Sequence, residues 1–172
     1  VVNLDATTDL DYTGFAEAVF EVGGDNSESS KTVNFNNLAA GAELKIDQDG
    51  TGAGQNIGRL NTSQVGAGDA NSLIVEFDDF DPTTGEQAAA PTANAVTVNR
   101  MTVNDAAVVQ FQPAGAAVTI ESLRDPDDTL NPVVVNGTGS GDFTLTALNS
   151  TTSETIDGSD AGGSVILGED GG

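Results

Sequence analysis

Three short runs crowd carboxylates closely enough to hold a cation. Asp47-Gln48-Asp49-Gly50 sets two acids at i and i+2 ahead of a glycine, the opening spacing of an oxygen-ligand calcium loop. The twelfth position of such a loop, which supplies a bidentate acid, falls on Gly58, so the spacing argues against an EF-hand. Asp78-Asp79-Phe80-Asp81 and Asp125-Pro126-Asp127-Asp128 each place three carboxylates within four residues, a costly crowd unless the side chains splay into water or share a metal. Asp157 and Asp160, in Ile-Asp-Gly-Ser-Asp, and Asp170 near the end of the chain could be ligands between neighbouring strand turns. All eleven are candidate calcium ligands, and calcium is the expected cofactor. Each run has a plainer reading beside it. Asp47–Gly50 also reads as a simple turn, the triple-acid clusters as solvated loops with Arg124 offsetting part of the second, and Asp157, Asp160 and Asp170 as hydrogen-bonded turn formers.

The whole chain leans the same way. Its 172 residues hold 27 Asp and Glu against 5 Lys and Arg, a formal charge of −22. Two carboxylates ~6 Å apart repel by only ~0.7 kcal/mol in water, but so large an uncompensated excess opposes any compact state. Divalent cations would relieve it. A solvated acidic surface, kept for solubility or for life in high salt, is the competing explanation.

Other chemistry is poorly supplied. Histidine and cysteine are both absent, which removes the commonest general base and the thiol nucleophile, and no glycine-rich phosphate loop precedes a lysine. The five basic residues, Lys31, Lys45, Arg59, Arg100 and Arg124, are spread singly through an acidic chain, which argues against nucleic acid and against anionic membranes. No apolar run approaches the ~18 residues of a membrane span, so direct membrane insertion is not expected. An enzyme is not expected either, and no catalytic residues are assigned. A paired-carboxylate glycosidase stays formally open, because its two acids can lie far apart in sequence. Asn61-Thr-Ser63, Asn136-Gly-Thr138 and Asn149-Ser-Thr151 fit the N-glycosylation pattern, which arises readily by chance in a chain this rich in Asn, Ser and Thr.

The elements that would position these acids are short strands. Apolar and polar residues alternate over 32–36, 43–47, 72–77, 94–99, 108–111, 117–121, 132–136, 142–146 and 164–167, each run bounded by Gly, Asn, Asp or Pro. Helical periodicity is weak everywhere; its best stretch, Tyr12–Val19, is one or two turns long and contains Gly14. With seven Phe, one Tyr and no Trp, a thin core of Val, Ile, Leu and Ala is expected. The expected fold is all-β: a β-solenoid resembling a parallel β-helix, or a β-rich sandwich built of short strands. Gly50–Asn71 and Asp78–Ala93 read as polar links, the second a surface loop that could divide subdomains 1–90 and 91–172, although one continuous domain would look the same. The chain is expected to be a processed piece of something longer.

Lys31–Gly50, KTVNFNNLAAGAELKIDQDG, runs strand, Asn-Leu, Ala-Ala-Gly-Ala, strand, Asp-x-Asp-Gly. Together with Asn136–Leu167 it resembles the repeat region of bacterial S-layer and RTX-type surface proteins. The glycine-rich calcium nonapeptide of that family is absent as a tandem array; only Leu167-Gly-Glu-Asp-Gly-Gly172 approaches it. The resemblance implies an extracellular, cell-surface structural protein, stabilised by calcium, that self-associates into a lattice or filament, with cell-surface polysaccharide as a further candidate partner. A calcium-dependent β-helix enzyme or binding module acting on polysaccharide is the alternative, and a halophilic surface or filament protein a third.

Overall fold

The computed structural model describes residues 8–11, 17–21, 32–48, 55–65, 71–81, 84, 86–88, 94–137, 139–150 and 155–168. Its secondary structure is all strand: β1 Thr8–Asp11, β2 Glu17–Glu21, β3 Thr32–Leu38, β4 Ala42–Asp47, β5 Gln55–Gln64, β6 Ser72–Asp78, β7 Val96–Asn104, β8 Val108–Pro113, β9 Val118–Ile120, β10 Leu123–Arg124, β11 Val133–Val135, β12 Phe143–Leu145, β13 Leu148–Asn149, β14 Ile156–Asp157 and β15 Val165–Leu167. Among the described residues no helix is long and apolar enough to cross a membrane.

The strands form two sheets, and every strand pairing within them is parallel. The first runs β1-β3-β5-β7-β9-β12-β15, with β10 and β13 continuing the array beside β7; the second runs β2-β4-β6-β8-β11-β14. From β1 to β9 the chain visits the two sheets in strict alternation. In the first sheet Val33, Leu60, Met101, Leu123 and Leu148 are successive register partners, so one position recurs from strand to strand along the sheet. Leu44, Val75, Phe111 and Val135 do the same in the second.

Alternation in the sequence explains which side is buried. Successive side chains of a strand point to opposite faces, and Leu73, Val75 and Phe77 of β6 are sealed while Ser72, Ile74 and Glu76 are half-buried. Both sheets direct their apolar rows at each other, giving one cluster of buried side chains from Val33 to Leu145. Phe111 of the second sheet stacks on Phe143 of the first, ring centroids 5.0 Å apart, and lies 6.5 Å from Phe77. Burying a side chain of this size contributes roughly 1.5–3 kcal/mol.

Near or after the ends of three strands of the first sheet, non-glycine residues take left-handed backbone, as Gly41 does just before β4. Asn37, Asp105 and Asp128 have φ of 61°, 61° and 55°, a region Asn and Asp tolerate better than other side chains. Near the C-terminal end glycine is required. A Cβ on Gly162 would collide with the Gly139 carbonyl oxygen, because the Gly162 amide hydrogen-bonds the Gly137 carbonyl at 2.8 Å and brings the two backbones together.

Two expectations are corrected. The described end of the helical stretch Tyr12–Val19, residues 17–19, lies in β2, which pairs with β4 over five register positions; cross-strand pairing outweighs a weak local preference. Gly50–Asn71 contains β5, ten residues long. Its pattern was hard to see because the buried positions after Leu60 are Thr62 and Gln64. Thr62 hydrogen-bonds the Thr102 carbonyl, and Gln64 the carbonyls of Ala39 and Ser72.

Candidate functional site

The alternation that buries Leu44 and Ile46 sends Glu43, Lys45 and Asp47 of β4 to the outer face of the second sheet. On β6 the same face carries Glu76 and Asp78. Asp47 and Asp78 are register partners at the ends of their strands, and Glu21 of β2 is the register partner of Asp47 on its other side. Adjacent strands lie ~4.8 Å apart, so two acids far apart in sequence become neighbours.

Both are covered. Asp47 is 1 % and Asp78 8 % exposed, although they lie on the outer face, and Asp79, just past the end of β6, is 6 % exposed. The cover is the segment after β6, which folds back on itself through an antiparallel bridge between Phe80 and Gln87. Its polar groups grip the carboxylates: the Phe80 amide donates to Asp47 Oδ1 at 3.0 Å, the Asp79 amide to Asp78 Oδ1 at 2.8 Å, and Gln87 Nε2 to Asp78 Oδ2 at 2.7 Å. The Gln48 amide donates to the Asp78 carbonyl at 2.7 Å. Lys45 Nζ lies 5.5 Å from the centre of the Phe80 ring and 3.9 Å from Glu76 Oε2. Two carboxylates ~5 Å apart repel by about 3 kcal/mol at an effective dielectric constant of 20. Donated hydrogen bonds and the nearby ammonium offset that repulsion in part; a bound cation would offset it further.

Asp81, the last acid of this cluster, is exposed and turned to its own loop, accepting from the Thr84 amide at 3.4 Å. Asp49 lies outside the described residues, as does Asp170.

The second triple-acid cluster is splayed. Asp125 is buried and accepts from the Leu130 amide at 2.9 Å. Asp127 is exposed and accepts from the Asp105 amide at 2.6 Å, while Asp128, also exposed, accepts from the Ser150 hydroxyl at 3.3 Å. Three acids therefore serve three separate partners, and two of them tie together loops from successive passes of the chain. Asp157 and Asp160 are exposed. Asp157 Oδ1 accepts from the Ser159 amide at 3.0 Å, and Ser159's backbone and side-chain hydrogen bonds hold the Asp157 carboxyl below the usual carboxylate range. Among the described residues no group of three or more acids converges in an arrangement able to hold a metal ion. The Asp47–Asp78 register pair would need further oxygen ligands to do so.

Two features escaped the reading of the sequence. Gln48 is fully buried, and neither end of its side-chain amide has a partner among the described residues; a short polar stretch gives no sign of this. The second is that the arginines, single in sequence, are grouped in space. Arg59 of β5 and Arg100 of β7 are register partners, and Arg124 of β10 pairs with Thr102, two residues along from Arg100 and on the same face. Burial first, then the Arg59 and Arg124 guanidiniums, push the Arg100 pKa below the ordinary arginine value.

Compared with known proteins, the chain matches no family model, no curated protein and no solved structure.

Proposed function

We propose that this chain is a β-solenoid module with a structural, non-enzymatic role in an extracellular surface assembly, and that calcium stabilises it. The observation that carries the reading is the strand order: from β1 to β9 consecutive strands alternate between two all-parallel sheets, and each pairs with the strand two places earlier in the chain where there is one. Such an array extends by repetition along one axis, the property a spacer or lattice unit needs. Support for calcium comes from the charge of −22 and from Asp47 and Asp78, held side by side and nearly sealed. A calcium ion at this pair would take carboxylate oxygens together with backbone carbonyls of the covering segment, the hard oxygen donors calcium prefers. S-layer and RTX-type proteins remain the family resemblance behind this reading, with self-association through sheet edges as the means of assembly.

Thermal unfolding in EDTA, in about 10 mM calcium and in equal magnesium tests it. One site with a dissociation constant near 1 mM adds ~1.4 kcal/mol at ~10 mM calcium, which raises Tm by roughly 3–6 °C in a chain of this size. The rise should be specific to calcium and should shrink in Asp47→Asn and Asp78→Asn. Equal effects of calcium and magnesium, or none, would sink the calcium role. Retention of the fold in EDTA only at high KCl would select a halophilic surface protein instead.

A further inference from the structure

We propose that the outer face of the first sheet, around Arg59, Arg100 and Arg124, binds a linear anionic polysaccharide through its carboxylate or sulfate groups. This inference does not depend on calcium.

The register builds two rows that cross the strands side by side. One is Thr32–Arg59–Arg100. The other, two residues further along, is Asn34–Asn61–Thr102–Arg124–Asn149. Steps along each row measure ~4.8 Å, the distance between neighbouring strands. The second row reaches an acid only at its far end, where Asn34 pairs with Asp9 of β1; the positions from β3 onward carry none, in a chain with 27 acids. Among the described residues none of the three guanidiniums forms an ion pair, and Arg100 Nε is buried with no acceptor. Like charges placed one strand apart repel, so Arg59 and Arg100 are neighbours at a cost that an anion lying between them would remove. Guanidinium suits this task because its planar fork meets carboxylate or sulfate oxygens with two parallel hydrogen bonds.

The surroundings decide between kinds of partner. From β3 onward both rows consist of arginine, asparagine and threonine, with the Asn61 side chain bonded to Asn34 at 2.6 Å and Asn149 to Ser122 at 3.0 Å. Buried aromatic or aliphatic anchors, which supply most of the affinity in protein interfaces, are missing from the rows. Amides and hydroxyls set between guanidiniums match a polymer that offers hydroxyls between charges. The steady step from strand to strand along the rows favours an extended chain lying across the strands over a compact ligand.

The test uses the intact protein at one fixed calcium concentration, with hyaluronate as the carboxylated probe, dextran sulfate as the sulfated probe and dextran as the neutral control. Hyaluronate or dextran sulfate should bind, dextran should not, and whichever charged probe binds better identifies the anionic group. The triple variant Arg59→Gln, Arg100→Gln, Arg124→Gln should lose at least about tenfold in affinity, since each guanidinium makes charge-assisted bonds. Its melting temperature should stay close to the parent's, and Lys45→Gln, on the other sheet, should bind as the parent does. Triple Arg→Lys should bind with intermediate affinity, keeping the charge and losing the fork. The proposal is overturned if the parent binds charged probes no better than dextran, or if the triple Gln variant binds unchanged, as bridging through calcium would allow. It is equally overturned if the substitutions abolish only self-association in sedimentation, which would make this face a contact with acidic segments of a second copy.

Discussion

From β3 to β8 the strands run six to ten residues, and register partners advance by as much as Leu60 to Met101; from β9 onward strands are two or three residues long, and partners advance by steps such as Val118 to Phe143. The first region makes its core from strand length. It can therefore carry long excursions between strands, and one of these, after β6, covers the Asp47–Asp78 pair. The second region has no such excess. Its backbones approach so closely at the corner that side chains are excluded, and Gly139, Gly141, Gly162 and Gly163 fill the positions where a Cβ would strike a carbonyl. Its outermost strand leaves Ile166 and Leu167 about half exposed. One parallel architecture is closed either by wide apolar strands or by tight glycine corners; the first shelters a pair of acids side by side, the second a single buried one, Asp125.

If the regions share a core, the residue joining them should carry the largest penalty. Phe111 pairs in register with Val75 on one side and Val135 on the other, and its ring stacks on Phe143. Phe111→Ala should cost about 3–5 kcal/mol, the usual range for emptying an aromatic site in a packed core. Urea unfolding followed by circular dichroism measures it. A loss below about 1 kcal/mol would mean that the site collapses freely and that the regions are only loosely joined.

A smaller and more local effect should follow from Gly162→Ala. The new Cβ meets the Gly139 carbonyl and lies close to that of Gly137, both backbone atoms that cannot rotate away. Overpacking of this kind costs roughly 1–3 kcal/mol. Hydrogen exchange should show protection falling over 139–168 while β3 to β8 hold theirs. Uniform loss along the chain would show that the glycine corner is not a separate structural solution and would break the comparison.

The sequence was most legible where polarity alternates strictly. The runs at 32–36, 43–47 and 142–146 correspond to β3, β4 and β12. Alternation failed as a guide in β5, where Thr62 and Gln64 replace apolar residues inside and make their own hydrogen bonds. Sites formed across strands were not legible at all. Whether Asp47 stands beside Asp78, or Arg59 beside Arg100, depends on the number of residues between strands, and in this chain that number varies from pass to pass. Acid clusters conspicuous in sequence fared differently from one another: Asp78 and Asp79 of one are buried while its Asp81 is exposed, and the carboxylates of Asp125, Asp127 and Asp128 point to three different donors.

The smallest effect expected belongs to an acid of the second region and separates the two kinds of carboxylate. Asp157 is exposed, and its ionised form is favoured by hydrogen bonds from Ser159, so its folded pKa lies below the ordinary value. A depressed folded pKa means that the unfolded chain binds the proton more readily. The stabilisation is therefore complete above the unfolded carboxylate range and disappears as pH falls through the folded pKa. Asp157→Asn keeps an acceptor oxygen but removes the titration. The difference in urea midpoint between parent and variant should be constant above about pH 6 and should narrow as acid is added toward about pH 2. Calcium should leave that difference unchanged, because Asp157 meets a turn and not a second carboxylate. A calcium-dependent difference would place Asp157 among the ligands and would mean that the tight C-terminal region, too, can shelter an ion.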